Sequence, residues 1–343
     1  MCPEEDGDPL DRCPLMRANL IATHFSVIRQ RNQTFITEVL VVGFEDFNEY
    51  RIPLFVLLLV IYIATCVENV LIISLVWKSP RLHSPMYFLI SNLLLCEFIN
   101  TTNMDPSALY NILSGTGVIS FVGCLAQINV VIAVLIFQTF LLMLMSSYDW
   151  YLAICHPLRY SSLMHIRLCL YVIIVFWMIA VLLVSVLIYF LVSLEYCGRV
   201  RLDYFFCEYT AYSIAVCVMS DARALITYSW VVSYTLNVTF LLILLSYILI
   251  IIAILRIKSS AGRRKAFSTC SSHLLVVSLY FGIPFISYLV PMSMTDYNAL
   301  SFIYYLVLPM LNPIIYTFRN EDIRQAFRAS ASELKQYYAN KIH

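Results

Sequence analysis

Residues 52–77 read IPLFVLLLVIYIATCVENVLIISLVW, an apolar run whose only charged residue is Glu68. A helix needs about 20 apolar residues to cross the hydrocarbon core of a membrane, so this run is long enough to span one. A soluble protein could bury one such helix in its core. The fold therefore depends on how many similar runs the chain contains.

Further apolar runs occur along the whole chain. The second and the sixth reach spanning length only with polar flanks, and the seventh is borderline. Hydrophobic residues make up 61% of the chain and charged residues 13%, against about 25% charged in soluble domains. We predict an all-α membrane protein, a bundle of seven transmembrane helices. After the first run, the others cover roughly residues 87–99, 121–145, 168–192, 225–255, 274–290 and 300–318.

The distribution of Lys and Arg sets the orientation of the bundle. Basic residues concentrate after the first, third, fifth and seventh runs, which places the N-terminus outside and the C-terminus inside. The start, MCPEEDGDPLDRC, does not resemble a signal peptide, so we expect the first helix to act as an uncleaved anchor. We divide the chain into an extracellular segment (1–50), a seven-helix domain (51–318), and a cytoplasmic amphipathic helix and tail (319–343). Asn32, in an Asn-Gln-Thr sequon, is a predicted glycosylation site.

Several function classes are disfavoured. The net charge of +1 does not suggest nucleic-acid binding, for which a basic patch is expected. No nucleophile elbow, phosphate-binding Gly loop or zinc-type cysteine spacing occurs, so we expect no enzyme, metal site or cofactor. A transporter or channel would need a continuous polar path or inverted repeats, and the sequence shows neither. Four cysteines on the outer side suggest two disulfides, with three pairings open: Cys124, Cys197, Cys207 and Cys217.

Polar residues inside the predicted spans are functional candidates, because they are costly in a membrane. Asn69 beside Glu68, Glu97 and Asn312 lie on three different helices. They could form one interior cluster that holds water or a cation. Alternatively, they could only link helices by hydrogen bonds worth about 1 kcal/mol each.

Four long motifs make the chain resemble an odorant (olfactory) receptor of the rhodopsin-like (class A) G-protein-coupled family. The resemblance implies a multi-pass plasma-membrane protein with a short amphipathic helix in RNEDIRQAF, after the seventh span. It also implies a small-molecule odorant ligand, surrounding membrane lipid, and an olfactory-type heterotrimeric G protein that stimulates adenylyl cyclase. The motifs are SPMYFLISNLLLCE (84–97), SYDWYLAICHPLRY (147–160), RKAFSTCSSHLLVVSLYFG (264–282) and PMLNPIIYTFRN (309–320).

The resemblance also implies roles for individual residues. It pairs Cys124 with Cys207 and Cys197 with Cys217. It places Glu97, Asn312 and Asn69 in an interior ion-and-water cluster, and it makes Tyr316 a switch residue.

The family's ligand site lies in the outer half of the bundle, and the matching positions here are mostly apolar and aromatic. Each of them could instead face lipid or pack in the core. As a set they suit a small, uncharged and largely apolar molecule. No acid occurs between Gln127 and Gln138, which disfavours a cationic amine. The predicted ligand-binding residues are Val131, Ile132, Leu135, Val231, Thr235, Phe281, Phe285, Tyr288, Phe302 and Tyr305.

The sequence departs from the family pattern where the third span leaves the membrane. The predicted coupling residues are Asp149, Trp150 and Tyr151, and Trp150 replaces the family's Arg, removing a charge and five N–H donors. The alternative function is therefore a membrane ligand-binding protein with impaired or altered coupling. The doubled Ser146-Ser147 adds one residue, which rotates the rest of the helix by about 100° unless a π-helical turn absorbs it. In addition, Gln138 stands where the family often has an acid.

Overall fold

The computed structural model describes residues 37–42, 50–115, 117–152, 156–192, 200–202, 204–208, 222–257, 259–290 and 293–342. These residues are mainly helical, because long apolar segments must satisfy their backbone hydrogen bonds internally within a membrane. The helices are α1 Arg51–Lys78, α2 Pro85–Ser114, α3 Phe121–Leu144, α4 Pro157–Leu163, α5 Ile166–Val192, α6 Ala222–Leu255, α7 Ser260–Leu289, α8 Met294–Phe302, α9 Leu308–Arg319 and α10 Glu321–Ile342.

The transmembrane bundle consists of α1, α2, α3, α5, α6, α7 and a composite seventh span. In the seventh span, a π-helical turn, Ile303–Val307, joins α8 to α9. Among the described residues, five helices are long and apolar enough to cross a membrane by themselves. α2 and α7 are not among these five, and the apolar part of α7 that the structure describes is Leu274–Ser287. They are the same two whose apolar runs needed polar flanks in the sequence.

A second π-helical turn, Met145–Trp150, extends α3 at its inner end. It includes the doubled serine. A π turn accommodates one extra residue without shifting the rest of the helix out of register. The turn can therefore absorb the extra residue at the inner end of the third span.

The outer end of the bundle carries a three-stranded sheet that the sequence did not indicate. Its strands are β1 Glu38–Val41, β2 Gly117–Ser120 and β3 Val200–Leu202, in the order β2-β1-β3. β1 pairs antiparallel with β2 and parallel with β3. Val39 and Val41 are buried, so β1 is packed against the bundle rather than exposed above it. We call this sheet the cap.

On the inner side, α10 runs from Glu321 to Ile342 and is longer than the predicted RNEDIRQAF segment. Its first turns are anchored on the bundle, with Ile323 and Ala326 buried. The Tyr87 hydroxyl at the start of α2 lies 2.8 Å from Asp322 Oδ2 and 3.0 Å from Asn320 Oδ1. This contact fixes the direction in which the chain leaves the seventh span.

Candidate functional site

The loop after β3 is fixed over the outer end of α3. A disulfide joins Cys124 to Cys207, with their Cα atoms 5.3 Å apart. Gln127 Oε1 accepts a 2.8 Å hydrogen bond from the Cys207 backbone N–H. The Ser120 side chain caps the start of α3 by accepting from the Gly123 N–H, which orients the turn that carries Cys124. The predicted partners Cys197 and Cys217 lie outside the described residues.

The same loop reaches across the bundle to the seventh span through three aromatic residues, Tyr204, Phe205 and Phe206. Their ring centroids lie 6.1 Å from Tyr297, 6.2 Å from Phe302 and 5.3 Å from Tyr305, respectively. Burial and the Glu208 carboxylate raise the pKa of Tyr204 well above its ordinary value. These loop residues were not among the predicted site residues, although YFFC (204–207) was visible as an aromatic run beside a cysteine. We call residues 204–208 the roof.

Five of the predicted ligand-binding residues lie on α3, which the disulfide joins to the roof, and on the seventh span. On α3, Val131 and Ile132 are buried and Leu135 is half-buried. On the seventh span, Phe302 and Tyr305 are half-buried and contact the roof. A ligand site formed by these residues remains a prediction.

On α7, the predicted aromatic residues pack towards α6. Phe281 is buried and stacks on Phe240 with centroids 5.4 Å apart. Phe285 is 51% exposed, and its ring lies 6.4 Å from Phe240. The backbones of Val231, Thr235 and Tyr288 lie within α6 and α7, but their side chains are outside the described part of the chain.

A hydrogen-bonded polar cluster lies deeper in the bundle, centred on Glu97. Glu97 Oε1 accepts from Gln138 Nε2 at 3.0 Å and from Asn312 Nδ2 at 2.9 Å. The same Asn312 amide donates to the Tyr280 hydroxyl at 2.8 Å. The cluster therefore joins α2, α3, α7 and α9. Tyr280 was not predicted to belong to this cluster. In the sequence it is only one of the aromatic residues in the motif 264–282, and nothing there marks it as a hydrogen-bond partner.

The third predicted member, Asn69, and the predicted switch residue, Tyr316, take no part in these hydrogen bonds. Asn69 is buried, but its amide donates to the Thr65 carbonyl of its own helix at 2.8 Å. Its Oδ1 atom, like the Tyr316 hydroxyl, has no hydrogen-bond partner among the described residues. The prediction that Asn69 joins Glu97 and Asn312 is therefore not matched by a direct hydrogen bond.

Aromatic contacts link the roof to this cluster. Phe206 contacts Tyr305, Tyr305 contacts Tyr304 with centroids 4.9 Å apart, and Tyr304 contacts Tyr280 at 6.0 Å. Both Tyr304 and Tyr305 lie in the π-helical turn Ile303–Val307. We call this series the aromatic route.

At the inner end of the third span, Asp149 is buried beyond the apolar helix α3. Its Oδ1 atom accepts a 2.6 Å hydrogen bond from the Tyr160 hydroxyl of α4. Burial raises the pKa of Asp149 from 3.8 to about 6, although the bond from Tyr160 opposes this shift. Burial and the Asp149 carboxylate together raise the pKa of Tyr160. The side chain of Trp150 lies outside the described residues.

The inner face also displays exposed apolar residues on α4, Leu158 and Leu163. Leu158 is 96% exposed, whereas Leu152, just before this loop, is buried. Tyr151, a predicted coupling residue, contacts the ring of His156 edge-on at 5.7 Å. His156 and Arg159 of the motif HPLRY are exposed as well.

A further carboxyl group inside the bundle was not predicted. The second apolar run ends near residue 99 in the sequence, but α2 continues to Ser114 and carries Asp105 at 3% exposure. The polar stretch NTTNMD (100–105) resembles a loop in its composition. Its buried polar face shows that it is a transmembrane segment lined with polar groups.

Known proteins share this sequence over most of its length. The olfactory receptor family profile matches residues 58–333. Human olfactory receptor 2D2 is 39% identical, covering 89% of this chain and 99% of that protein. Human olfactory receptor 10P1 is 40% identical over 87% of this chain and 96% of that protein. Mouse olfactory receptor 2A7 is 37% identical, covering 87% of this chain and 96% of that protein.

Proposed function

Because this chain belongs to the olfactory receptor family of plasma-membrane G-protein-coupled receptors, we propose that it binds a small, uncharged and largely apolar odorant beneath the roof. We further propose that it signals to an olfactory-type G protein that stimulates adenylyl cyclase. The aromatic route is the observation that carries this proposal, since it connects the proposed ligand space to the interior cluster.

The proposed ligand class follows from the described side chains on α3 and on the seventh span, which form two walls of the proposed ligand site. Val131, Ile132 and Leu135 offer only hydrocarbon, and Phe302 offers an aromatic ring. Tyr305 adds one hydroxyl. Such walls favour apolar molecules with few polar groups, because each unpaired polar ligand atom would lose its hydrogen bonds to water.

Activation is then a shift between two arrangements of the bundle. A ligand that packs better against one position of Tyr305 favours that arrangement by its difference in affinity. Tyr304 and Tyr280 relay the change to Asn312, whose amide bonds hold the seventh span to Glu97. The inner ends of the helices would then move.

Coupling would use the inner face around Leu158 and the basic segment after α6. Leu158 supplies an exposed apolar contact, and Arg256 and Arg263 lie near the inner ends of α6 and α7. Trp150 supplies no positive charge at the position where the family has Arg. The bond between Asp149 and Tyr160 favours the second candidate, a receptor that takes up ligand but couples weakly or differently, because it holds Asp149 without an Arg.

The test is a cAMP assay on cells that express either the wild-type chain or Trp150→Arg, exposed to a broad odorant panel. Surface labelling of both chains normalises the responses. We expect at least one uncharged apolar odorant to raise cAMP, with a larger response in Trp150→Arg. A response only in Trp150→Arg would favour the weakly coupled receptor. Silence in both chains at normal surface levels would contradict the receptor proposal.

A further inference from the structure

The helix α6 has one buried face and one exposed face. The buried face packs on α3, α5 and α7, and its residues recur at every third or fourth position: Thr239, Ile243, Tyr247, Ile250 and Ile254. The opposite face is exposed. It carries a stripe of residues at alternating intervals of three and four, which we call the α6 seam: Tyr234, Asn237, Leu241, Leu244, Ile248, Ile251 and Leu255.

The spacing of the α6 seam is that of a heptad repeat. Intervals of three and four keep one stripe of a helix facing a partner helix, as the a and d positions of coiled coils do. From Tyr234 to Leu255 the seam is about 32 Å long, enough to span the hydrocarbon core. Its apolar residues alone do not require a partner, because lipid tails are as apolar as leucine. The reason to expect a partner lies in the polar residues of the seam.

Asn237 is a polar side chain that is exposed within the membrane. The apolar run that forms α6 covers roughly residues 225–255, and every 20-residue window of that run contains Asn237. The Asn237 amide donates to the Ser233 carbonyl at 2.7 Å and to the Ser233 hydroxyl at 3.1 Å. Its Oδ1 atom accepts no hydrogen bond from the residues that the structure describes. A carbonyl oxygen without a donor is costly in hydrocarbon, where water is absent.

A second copy of the chain matches the α6 seam. All copies share one orientation in the membrane, so two α6 helices related by a two-fold axis along the membrane normal run parallel. In such a pair each seam residue faces the same residue of the other copy, and Asn237 lies beside Asn237. A carboxamide carries both donors and an acceptor, so it can pair with its own kind. The exposed hydroxyls of Ser233 and Tyr234 lie beside it as further donors.

We propose that the chain forms a parallel homodimer through the α6 seam, held by hydrogen bonds between the two Asn237 side chains and their neighbouring hydroxyls. The apolar seam residues supply the packing, and Asn237 supplies the preference for protein over lipid. The seam shares no residue with the proposed ligand site or with the aromatic route. The dimer therefore does not depend on the odorant or on coupling.

The first test is oxidative cross-linking of the full chain with one added cysteine, in membranes of expressing cells. Leu244→Cys and Ile248→Cys place a thiol on the seam and should give a disulfide-linked dimer on a non-reducing gel. Leu242→Cys and Leu249→Cys are matched controls. These leucines are 44% and 45% exposed, close to the 42% of Leu244, but lie about 100° around the helix from the seam. The controls should stay at the background of the unsubstituted chain.

The second test measures energy transfer between two differently labelled copies at the cell surface. Asn237→Leu removes the polar group and should weaken self-association by about 3- to 30-fold, whereas Asn237→Gln keeps the amide and should retain most of it. Surface labelling shows that each variant folds and reaches the membrane. The cross-linking series keeps Asn237, so it gives a result even if Asn237→Leu does not fold.

Three results would overturn the proposal. The first is a wild-type chain whose energy transfer does not exceed that of random collisions at the same surface density. The second is equal cross-linking at Leu242→Cys and Leu244→Cys, or a cross-linked product that is not twice the mass of the chain. The third is an Asn237→Leu variant that associates as strongly as the wild type.

Discussion

The Tyr160 hydroxyl donates a 2.6 Å hydrogen bond to the Asp149 carboxylate, joining the inner end of the third span to α4. In this chain the residue after Asp149 is Trp150, which offers one N–H in place of the five of an arginine. Among the residues that the structure describes, Tyr160 is therefore the hydrogen-bond donor that holds the buried Asp149 carboxylate. The loop that presents Leu158 is held by the same bond.

Replacing Tyr160 by Phe should raise basal signalling. The substitution leaves a buried carboxylate without its hydroxyl donor, and bonds to charged groups contribute about 1.5–3 kcal/mol. We expect basal cAMP to rise several-fold at equal surface expression. Tyr171→Phe, which changes an exposed tyrosine on α5, is the matched control. Unchanged basal cAMP in Tyr160→Phe would show that the bond does not restrain the inactive arrangement.

The stability of the receptor should depend on pH through Asp149. Its folded pKa of about 6 lies above the ordinary value of 3.8, so the folded state binds the proton more tightly than the unfolded state. The stabilisation is fully present below about pH 4 and is lost as pH rises through 6. Between pH 7 and pH 5 we expect a gain of about 1 kcal/mol, measured as a melting temperature higher by a few degrees.

Asp149→Asn isolates this contribution from that of the other ionisable groups. The variant should lose the part of the pH dependence that belongs to Asp149 and keep the remainder. Identical pH profiles in the wild type and Asp149→Asn would rule out this carboxyl group as the source.

Interrupting the aromatic route should weaken the response to an agonist found in the odorant panel. Tyr304→Leu removes the ring between Tyr305 and Tyr280, and aromatic pairs contribute about 0.5–1.5 kcal/mol each. We expect the half-maximal agonist concentration in the cAMP assay to increase by about 3- to 10-fold. Tyr304→Phe keeps the ring and should stay close to wild type. If Tyr304→Leu has no effect, the signal takes another path.

Gly115→Ala should destabilise the outer end of α2. Gly115 has φ of +80°, and an added Cβ would lie 2.5 Å from the guanidinium nitrogens of Arg51. The cost of such a backbone conformation is of order 1–3 kcal/mol. A thermal unfolding assay should show a lower melting temperature. Gly282→Ala is the matched control, because nothing lies within 4 Å of its Cβ, and it should be neutral or stabilising.

Apolar runs and motifs predicted the helices of the bundle well, because membrane spans are decided by local composition. The possibility of a π-helical turn near Ser146 arose from a one-residue count, and the structure has it at Met145–Trp150.

Features that depend on distant partners were not predictable. The strands of the cap are short, and each is specified by its neighbours rather than by its own sequence. The contact of Asn312 with Tyr280 crosses between two helices, and no local pattern indicates it. Asp105 was missed for a different reason. Its polar neighbours lower the local hydropathy, so the sequence predicted an end near residue 99 for a helix that continues to Ser114.

The order of strands in the cap has a consequence for biosynthesis. β1, at the centre of the sheet, leaves the ribosome first, its partner β2 emerges two spans later, and β3 emerges after four spans. At about 5–20 residues per second, β3 appears on the order of ten seconds after β1. During that interval one edge of β1 has no strand to pair with. The cap can therefore be completed only after the first four spans have been made.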